Sequence, residues 1–231
     1  MSPAEIERLK DLLPTSLGSA EVREQIARDI LRRSVFSARM ECARYLAEIR
    51  DVATRMLEGE IDQASARDIL GGLLEQMGHS PLDEGGLRNP ASIRRLNLIL
   101  ETQTQMAASV AQLAEQTDDV VDLWPAWSLE RLEGRRAPRE DWLARWNAAG
   151  DSVGWEGARR EPAYGDGTSF AFVALKSSPI WQALGDGVGG FTDTLGNPYP
   201  PFAYGSGMTW ERVSRAECAA LGRVEEEAEN G

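Results

Sequence analysis

Two neighbouring stretches decide the fold of the second half of the chain: VALKSSPIWQALG at residues 173 to 185 and GNPYPPFAYGSG at residues 196 to 207. The apolar run at residues 170 to 175 predicts a buried strand. Ser178 followed by Pro179 predicts the start of a short helix, because serine caps helices and proline suits their first position. Glycines then end the helix, and the prolines of the second stretch predict an irregular, extended loop.

Aromatic side chains are concentrated in and around this loop, where no helical or strand pattern explains them. So much apolar surface must be covered, either by the core of the same domain or by another protein. Both interpretations are open at this point. If a partner covers the surface, the predicted partner-binding residues are Trp181, Tyr199, Phe202, Tyr204 and Trp210.

The remainder of the second half mixes short strands and helices. Residues 120 to 131 predict one or two short strands interrupted at Pro125, because proline cannot donate to a central ladder. Apolar spacing predicts a helix at residues 139 to 149. Ser214 and Glu217 have the spacing of a capping box, which predicts the start of a last helix.

The first half is helical by its apolar periodicity. Helices are predicted over residues 3 to 13, 19 to 58, 65 to 77 and 89 to 116. The second of these would run for about 40 residues and roughly 60 Å at 1.5 Å per residue. A break near Ser34 or Ser37 is the open alternative to one continuous rod. Two long helices on either side of a shorter one favour an antiparallel bundle.

These patterns predict an α+β protein in three parts. Residues 1 to 117 form an antiparallel helical bundle with one very long helix, and residues 118 to 222 form a small α+β domain rich in Trp, Gly and Pro. Residues 223 to 231 have the acidic composition of a disordered tail.

The composition favours a globular protein over one that clamps nucleic acid. The 231 residues are 42% hydrophobic, enough for a core, and the net charge of −12 opposes strong phosphate binding. We see no apolar run of 18 residues and no basic leader, so we predict no membrane contact and synthesis in a cytoplasm. Cys42 and Cys218 lie in predicted helices, and we expect both thiols to be reduced.

Residues that carry chemistry are few or dispersed. His79 is the one histidine of the chain, and with two distant cysteines it predicts no metal site. We likewise predict no catalytic residues and no cofactor. The carboxylates of the second half, among them Asp118, Asp119 and Asp122, leave one alternative open: a carboxylate-based hydrolase or toxin-like enzyme.

Arginines provide a second alternative, a DNA-contacting module. The arginines between residues 23 and 39 alternate with acidic residues, which predicts a hydrated, salt-bridged helix face. A tighter group with few acidic neighbours is the better candidate for transient DNA contact, because phosphate binding depends on basic side chains. This group consists of Arg131, Arg135, Arg136 and Arg139.

Several stretches follow one another in an order that resembles a known family. ALKSSPIW at residues 174 to 181, LGNPYPPFAYGSGM at 195 to 208 and the predicted helix at 215 to 222 resemble the C-terminal part of phage and prophage minor head proteins. These are grouped with the head morphogenesis proteins of the phage Mu F type. The resemblance extends to FSARMECARYL at residues 36 to 46, to residues 59 to 70 and to LILETQTQMA at residues 98 to 107.

The resemblance implies a non-enzymatic structural protein of the virion head that is made in the host cytoplasm. Such a minor head component acts at or near the portal vertex in head assembly, DNA packaging or delivery. With this resemblance, the DNA-contacting alternative becomes a packaging or ejection accessory protein. The implied partners are phage portal and capsid proteins, together with further copies of the chain in the particle. Family members often carry a His- and Cys-containing ending after the Pro-Pro segment. This chain has PPFAYGSG at residues 200 to 207 instead, so no metal or thiol role is carried over.

Overall fold

The chain divides into two compact units, Met1–Ala111 and Gln112–Gly231. The computed structural model describes residues 1 to 79, 86 to 131, 141 to 155 and 172 to 224. Helices and two small sheets among these residues confirm the predicted α+β class. Within the described part, none of the helices has the length and apolar character that crossing a bilayer requires. Residues 225 to 231 of the predicted acidic tail lie outside the described ranges.

Unit 1 is mainly helical. Its described elements are α1 (Pro3–Arg8), β1 (Asp11–Leu12), α2 (Ser19–Gln25), α3 (Arg28–Arg32), β2 (Ser34–Val35), α4 (Ala43–Leu57), α5 (Gln63–Gln76), a 3-10 turn (Gly86–Arg88) and α6 (Ile93–Ala114). The end of α6 belongs to unit 2. Local signals set several of these bounds. Asp62 caps α5 by accepting the N–H of Ser65 at 2.7 Å, and Gly78, with φ of +86°, follows the end of α5 as predicted.

The very long helix predicted at residues 19 to 58 is wrong, since the segment forms α2, α3, β2 and α4. Ile26 has an extended backbone that ends α2, and β2 pairs in parallel with β1. The N–H of Leu13 donates to the carbonyl of Val35 at 3.0 Å. The helix predicted at residues 3 to 13 therefore also ends early. Backbone hydrogen bonds between distant segments replace the helical ones here.

Arg95 of α6 holds the connection between β2 and α4. One terminal nitrogen of its guanidinium donates to the Ser37 hydroxyl at 2.7 Å and to the Ala38 carbonyl at 2.5 Å. The other terminal nitrogen donates to the Leu87 carbonyl at 3.3 Å. Met40, in the same connection, is 4% exposed and lies in the core. This connection can thus leave the helical conformation while its polar groups stay paired.

The core of unit 1 draws apolar side chains from β2, α4, α5 and α6. Its fully buried members include Val35, Tyr45, Leu46, Ile49, Val52, Ala66, Leu70, Leu74 and Leu100. Many apolar positions of the predicted helices therefore meet in one core, whereas Leu9, Ile30 and Ile93 are exposed. The antiparallel bundle as such stays a prediction.

Unit 2 is built on a three-stranded antiparallel sheet. Its described elements are α7 (Asp118–Leu123), β3 (Ala126–Arg131), α8 (Trp142–Ser152), β4 (Val173–Leu175), α9 (Ile180–Asp186), β5 (Met208–Val213) and α10 (Arg215–Ala220). The strand order is β4-β3-β5. Residues 118 to 123 form the helix α7 instead of a strand, and Thr117 caps this helix by accepting the N–H of Val120 at 3.4 Å. The strand predicted from residue 120 therefore begins only after Pro125, at Ala126. The strand β5 has no counterpart among the predicted elements, whereas the capping box of Ser214 and Glu217 is present.

A charged pair is buried in unit 1. Glu7 is 0% exposed and Lys10 is 4% exposed. The Lys10 ammonium lies 2.6 Å from a carboxylate oxygen of Glu7 and donates to the side-chain carbonyl of Gln103 at 2.6 Å. Burial raises the pKa of Glu7 and lowers the pKa of Lys10, while the attraction between the two groups acts against both shifts. Each charge therefore depends on the other to stay in the interior.

We expect Lys10→Met to destabilise the protein by about 3 kcal/mol or more, because it leaves a carboxylate buried without its partner. The double variant Glu7→Leu with Lys10→Met should regain most of that loss, since it removes both desolvated charges. Urea unfolding followed by far-UV circular dichroism measures the effect. If the loss of unfolding free energy in the double variant equals the sum of the losses in Lys10→Met and Glu7→Leu, the pair is not energetically coupled.

Candidate functional site

Aromatic rings form a continuous cluster on one face of the unit 2 sheet. Trp127 of β3 stacks on Trp210 of β5, with ring centroids 5.0 Å apart and planes inclined by 8°. Trp181 of α9 meets Trp210 edge to face at 5.5 Å and stacks on Phe202 at 6.1 Å. Trp146 of α8 lies 5.5 Å from Trp181. This aromatic cluster therefore joins two strands, two helices and the loop that carries Phe202.

The strand register explains why the two stacked rings share a face. Leu129 lies opposite Trp210, and Trp127 lies opposite Arg212. Residues two positions apart in a strand point to the same side, so Trp127 and Trp210 are diagonal neighbours on one face. The indole N–H of Trp181 donates to the Leu175 carbonyl at 2.9 Å, which fixes α9 above the end of β4.

Most of the predicted partner-binding residues lie in the core of unit 2. The exposed fractions are 3% for Trp181, 6% for Tyr199, 0% for Phe202 and 3% for Trp210. Tyr204 is half-buried. The core of the same domain thus covers these aromatic residues, which is one of the two interpretations that the sequence left open. Their binding of a partner stays a prediction, and Tyr204 is the member with the most accessible surface.

The loop around Phe202 is irregular, as predicted, and is held by its own polar groups. The N–H of Leu195 donates to the Phe202 carbonyl at 2.8 Å, and the N–H of Tyr204 donates to the Asp193 carbonyl at 3.1 Å. The loop also passes very close to α9. A Cβ added at Gly185 would lie 1.9 Å from the backbone oxygen of Asn197, so only glycine allows this approach.

A buried arginine connects α8 to the same loop. Arg145 is 6% exposed, and its guanidinium donates to carboxylate oxygens of Asp141 at 2.8 Å and of Asp193 at 2.9 Å. The guanidinium also lies 4.2 Å from the ring centroid of Phe191. Two carboxylates and an aromatic face thus compensate the loss of water around this charge.

Lys176 is half-buried beside the ring of Trp127 and close to a second positive charge. Its ammonium lies 4.4 Å from the ring centroid of Trp127 and donates to the side-chain carbonyl of Gln116. Burial, followed by the like charge of Arg212, lowers the pKa of Lys176 to about 8. At pH 8 about half of the molecules therefore carry a neutral amine at this position. A neutral amine is a nucleophile, whereas the ammonium of an ordinary lysine is not.

The predicted DNA-contacting group is only partly described. Arg131 is half-buried at the end of β3, paired in register with Met208. Arg135, Arg136 and Arg139 lie outside the described residues. DNA contact by this group stays a prediction.

Several described carboxylates have structural partners, and Asp118 and Asp119 lie in the first turn of α7. Asp122 pairs with Arg215 at 3.4 Å, and the pKa values of Asp62 and Glu217 are lowered because each accepts hydrogen bonds at a helix cap. Burial raises the pKa of the Cys218 thiol, which favours its neutral form. Across residues 1 to 79, 86 to 131, 141 to 155 and 172 to 224, no three His, Cys, Asp or Glu side chains gather as metal ligands would.

Sequence reasoning missed the two polar features of this region. The spacing of Asp141 and Arg145 is that of a helical ion pair, so the sequence is consistent with this contact. No local pattern points to the second partner of Arg145, Asp193. Lys176 stood out only as one of two lysines in the chain. Its position over Trp127 results from strand pairing, which brings together residues 49 positions apart.

No family model, curated protein or solved structure matches the chain. We therefore describe the class of this protein from its fold alone. It is a two-unit α+β protein, with a mainly helical unit followed by a small sheet that carries a tryptophan-rich cluster.

Trp181→Ala should lower the free energy of unfolding by about 3–5 kcal/mol, because it removes a ring that contacts three other rings. Leu123→Ala, at a residue that is 59% exposed, is the matched control and should change stability by no more than about 0.5 kcal/mol. Urea unfolding followed by tryptophan fluorescence distinguishes the two. A loss below about 1 kcal/mol for Trp181→Ala would favour the partner-binding interpretation over the core.

The stability contributed by Lys176 should depend on pH. The folded pKa of about 8 lies below the ordinary value of 10.5, so between these values the unfolded chain keeps a proton that the folded chain has released. Stability relative to Lys176→Met should therefore be level below about pH 7 and rise as the pH increases from about 8 to 10.5. Urea unfolding of both proteins across this range measures the difference. A difference that is constant or falls with pH contradicts the assignment.

Proposed function

We propose that the chain is a structural virion protein, a minor head or head morphogenesis component that acts at or near the portal vertex. Its role would lie in head assembly, DNA packaging or delivery, through contacts with portal and capsid proteins and with further copies of itself. The observation that carries the proposal is that each of the segments resembling this family contributes residues to one of the two cores.

In unit 2 the resembling segments are directly in contact. Residues 174 to 181 include most of β4 and the start of α9, and residues 195 to 208 form the loop that encloses Phe202. The ring of Trp181 from the first segment stacks on the ring of Phe202 from the second. The third segment, residues 215 to 222, forms α10, whose Cys218 is buried against the other face of the sheet.

The same holds in unit 1. The segment at residues 36 to 46 contributes Tyr45 and Leu46 to the core, residues 59 to 70 contribute Leu70, and residues 98 to 107 contribute Leu100. A likeness spread over six short stretches is more informative when these stretches pack together, because packing restricts residues that are far apart in sequence. We extend the proposal to the arrangement of α4, α5 and α6 as an antiparallel bundle.

The mode of action that we infer is adhesion of preformed surfaces. The charged groups with the greatest burial, Glu7, Lys10 and Arg145, are engaged in ion pairs within their own unit. Such pairs favour a defined fold over a mobile one in several proteins. Each unit, taken by itself, can then present the same surface to each partner with little loss of conformational entropy.

The proposal is tested by mixing the purified chain with portal rings from the same phage or prophage and sedimenting the rings. We expect the chain to sediment with the rings and to be found by mass spectrometry in purified particles. Tyr204→Ser should weaken this association about tenfold if the half-buried tyrosine is an interface residue. Its unfolding midpoint should stay close to that of the unsubstituted chain.

Leu9→Ser is the matched control, because Leu9 is a 71% exposed apolar residue of the other unit. It should leave sedimentation unchanged. Absence of the chain from particles, together with no sedimentation with rings, would refute the proposal. If both substitutions weaken sedimentation equally, Tyr204 has no specific role at the interface, although the proposed function itself is not contradicted.

A further inference from the structure

The chain contains two lysines, Lys10 and Lys176, and they lie in different environments. Lys10 is 4% exposed, and its ammonium is paired with the Glu7 carboxylate at 2.6 Å. Lys176 is half-buried, directly after β4 and before the exposed Ser177. Of the two lysine amines, only that of Lys176 is therefore within reach of molecules in solution.

The backbone and the side chain of Lys176 are both held in place. Its N–H donates to the Pro125 carbonyl at 2.9 Å, next to the pairing of β4 with β3. Its ammonium lies 4.4 Å from the ring centroid of Trp127 and donates to the side-chain carbonyl of Gln116. Trp127 is 1% exposed and stacked on Trp210, so the ring is fixed as well. An amine that is positioned in advance loses less entropy when it reacts.

The groups around this amine oppose its protonation. Burial lowers the pKa of Lys176 to about 8, and the like charge of Arg212 adds to this shift, although Arg212 also pairs with Glu115 at 2.8 Å. Cys218 would favour the ammonium if it carried a negative charge, but burial raises the pKa of its thiol. At pH 7 about a tenth of the molecules thus carry a free amine at Lys176, against fewer than about one in a thousand for an ordinary lysine.

We propose that Lys176 is a covalent binding site for small aldehydes, which it holds as a Schiff base. The free amine adds to the aldehyde carbon and forms a carbinolamine. This intermediate loses its hydroxyl group, together with the proton on the nitrogen, as water, which leaves a C=N double bond. The imine nitrogen then accepts one proton from solvent and becomes an iminium cation. No oxidant or reductant takes part, and the inference does not depend on the proposed function.

The contacts of Lys176 favour an imine over an amide. An iminium keeps a positive charge and one N–H, so it can stay over the Trp127 ring and donate to the Gln116 carbonyl. The amide that an acyl donor such as a thioester would form has no charge and loses the attraction to the ring. Because the amine is only partly open to solvent, the aldehyde must be small.

The test uses the full chain with propanal, and cyanoborohydride to trap the imine as a propylated lysine. The reference is a peptide of residues 174 to 181, ALKSSPIW, with both ends blocked, which carries the same lysine without the fold. Peptide mapping by mass spectrometry measures the rates. At pH 7 we expect Lys176 of the chain to react at least tenfold faster than the peptide, and Lys10 to stay unlabelled. This advantage should shrink above about pH 8, because the lysine of the peptide then also loses its proton.

Two further comparisons test the assigned causes. Arg212→Gln removes the like charge and should slow labelling at pH 7 at least threefold. The matched control Arg215→Gln alters an arginine paired with Asp122 and should leave the rate unchanged. Urea unfolding verifies that both variants fold.

A thioester, S-acetyl-N-acetylcysteamine, distinguishes an aldehyde site from an amine that is simply reactive. Its advantage at Lys176 over the peptide should be at least threefold smaller than the advantage of propanal. Labelling of Lys176 no faster than that of the peptide, an equal advantage with the thioester, or an unchanged rate in Arg212→Gln would each overturn the proposal.

Discussion

Stacking of the Trp127 and Trp210 rings across β3 and β5 is the interaction on which unit 2 depends. A three-stranded sheet of this size buries little by itself, so it needs a covering layer on each face. Trp210 of this pair contacts both Trp181 and Phe202 edge to face, and the contact of Trp146 with Trp181 connects α8 to the same cluster. The irregular loop can be ordered because its aromatic ring reaches this surface and its backbone groups pair with one another.

Unit 1 also buries apolar surface and pairs its backbone polar groups, but it does so with different residues. Its core is mainly aliphatic, and it tolerates a non-helical connection between β2 and α4 because Arg95 donates to the Ser37 hydroxyl and the Ala38 carbonyl there. The buried pair of Glu7 and Lys10 adds a charged contact in the same unit. Arg95 and the pair of Glu7 and Lys10 each lose contact with water and gain hydrogen bonds or an ion pair with specific groups of the protein. Each therefore favours one arrangement of the chain over alternatives.

The proposed virion function concerns the accessible surface of unit 2 rather than its interior. The aromatic cluster is largely buried and supports the fold, whereas Tyr204 is half-buried and keeps some accessible surface. Lys176 belongs neither to the buried cluster nor to the open surface, since it is half-buried with its ammonium over the ring of Trp127. An assembly protein with a rigid interior and a few accessible recognition groups would combine reproducible shape with selective contact.

The sequence by itself determined the α+β class, the capping box of Ser214 and Glu217, the glycine Gly78 that follows the end of α5 and many of the apolar positions of the unit 1 core, because these depend on neighbours within one turn or one helix. It did not determine whether residues 19 to 58 continue as a helix, since pairing of β1 with β2 and the Arg95 contacts join residues distant in the chain. Only the tertiary structure decided that Trp181 and Phe202 are buried and that Arg145 reaches Asp193. Burial is a property of packed segments, and no local pattern reports which segments will meet.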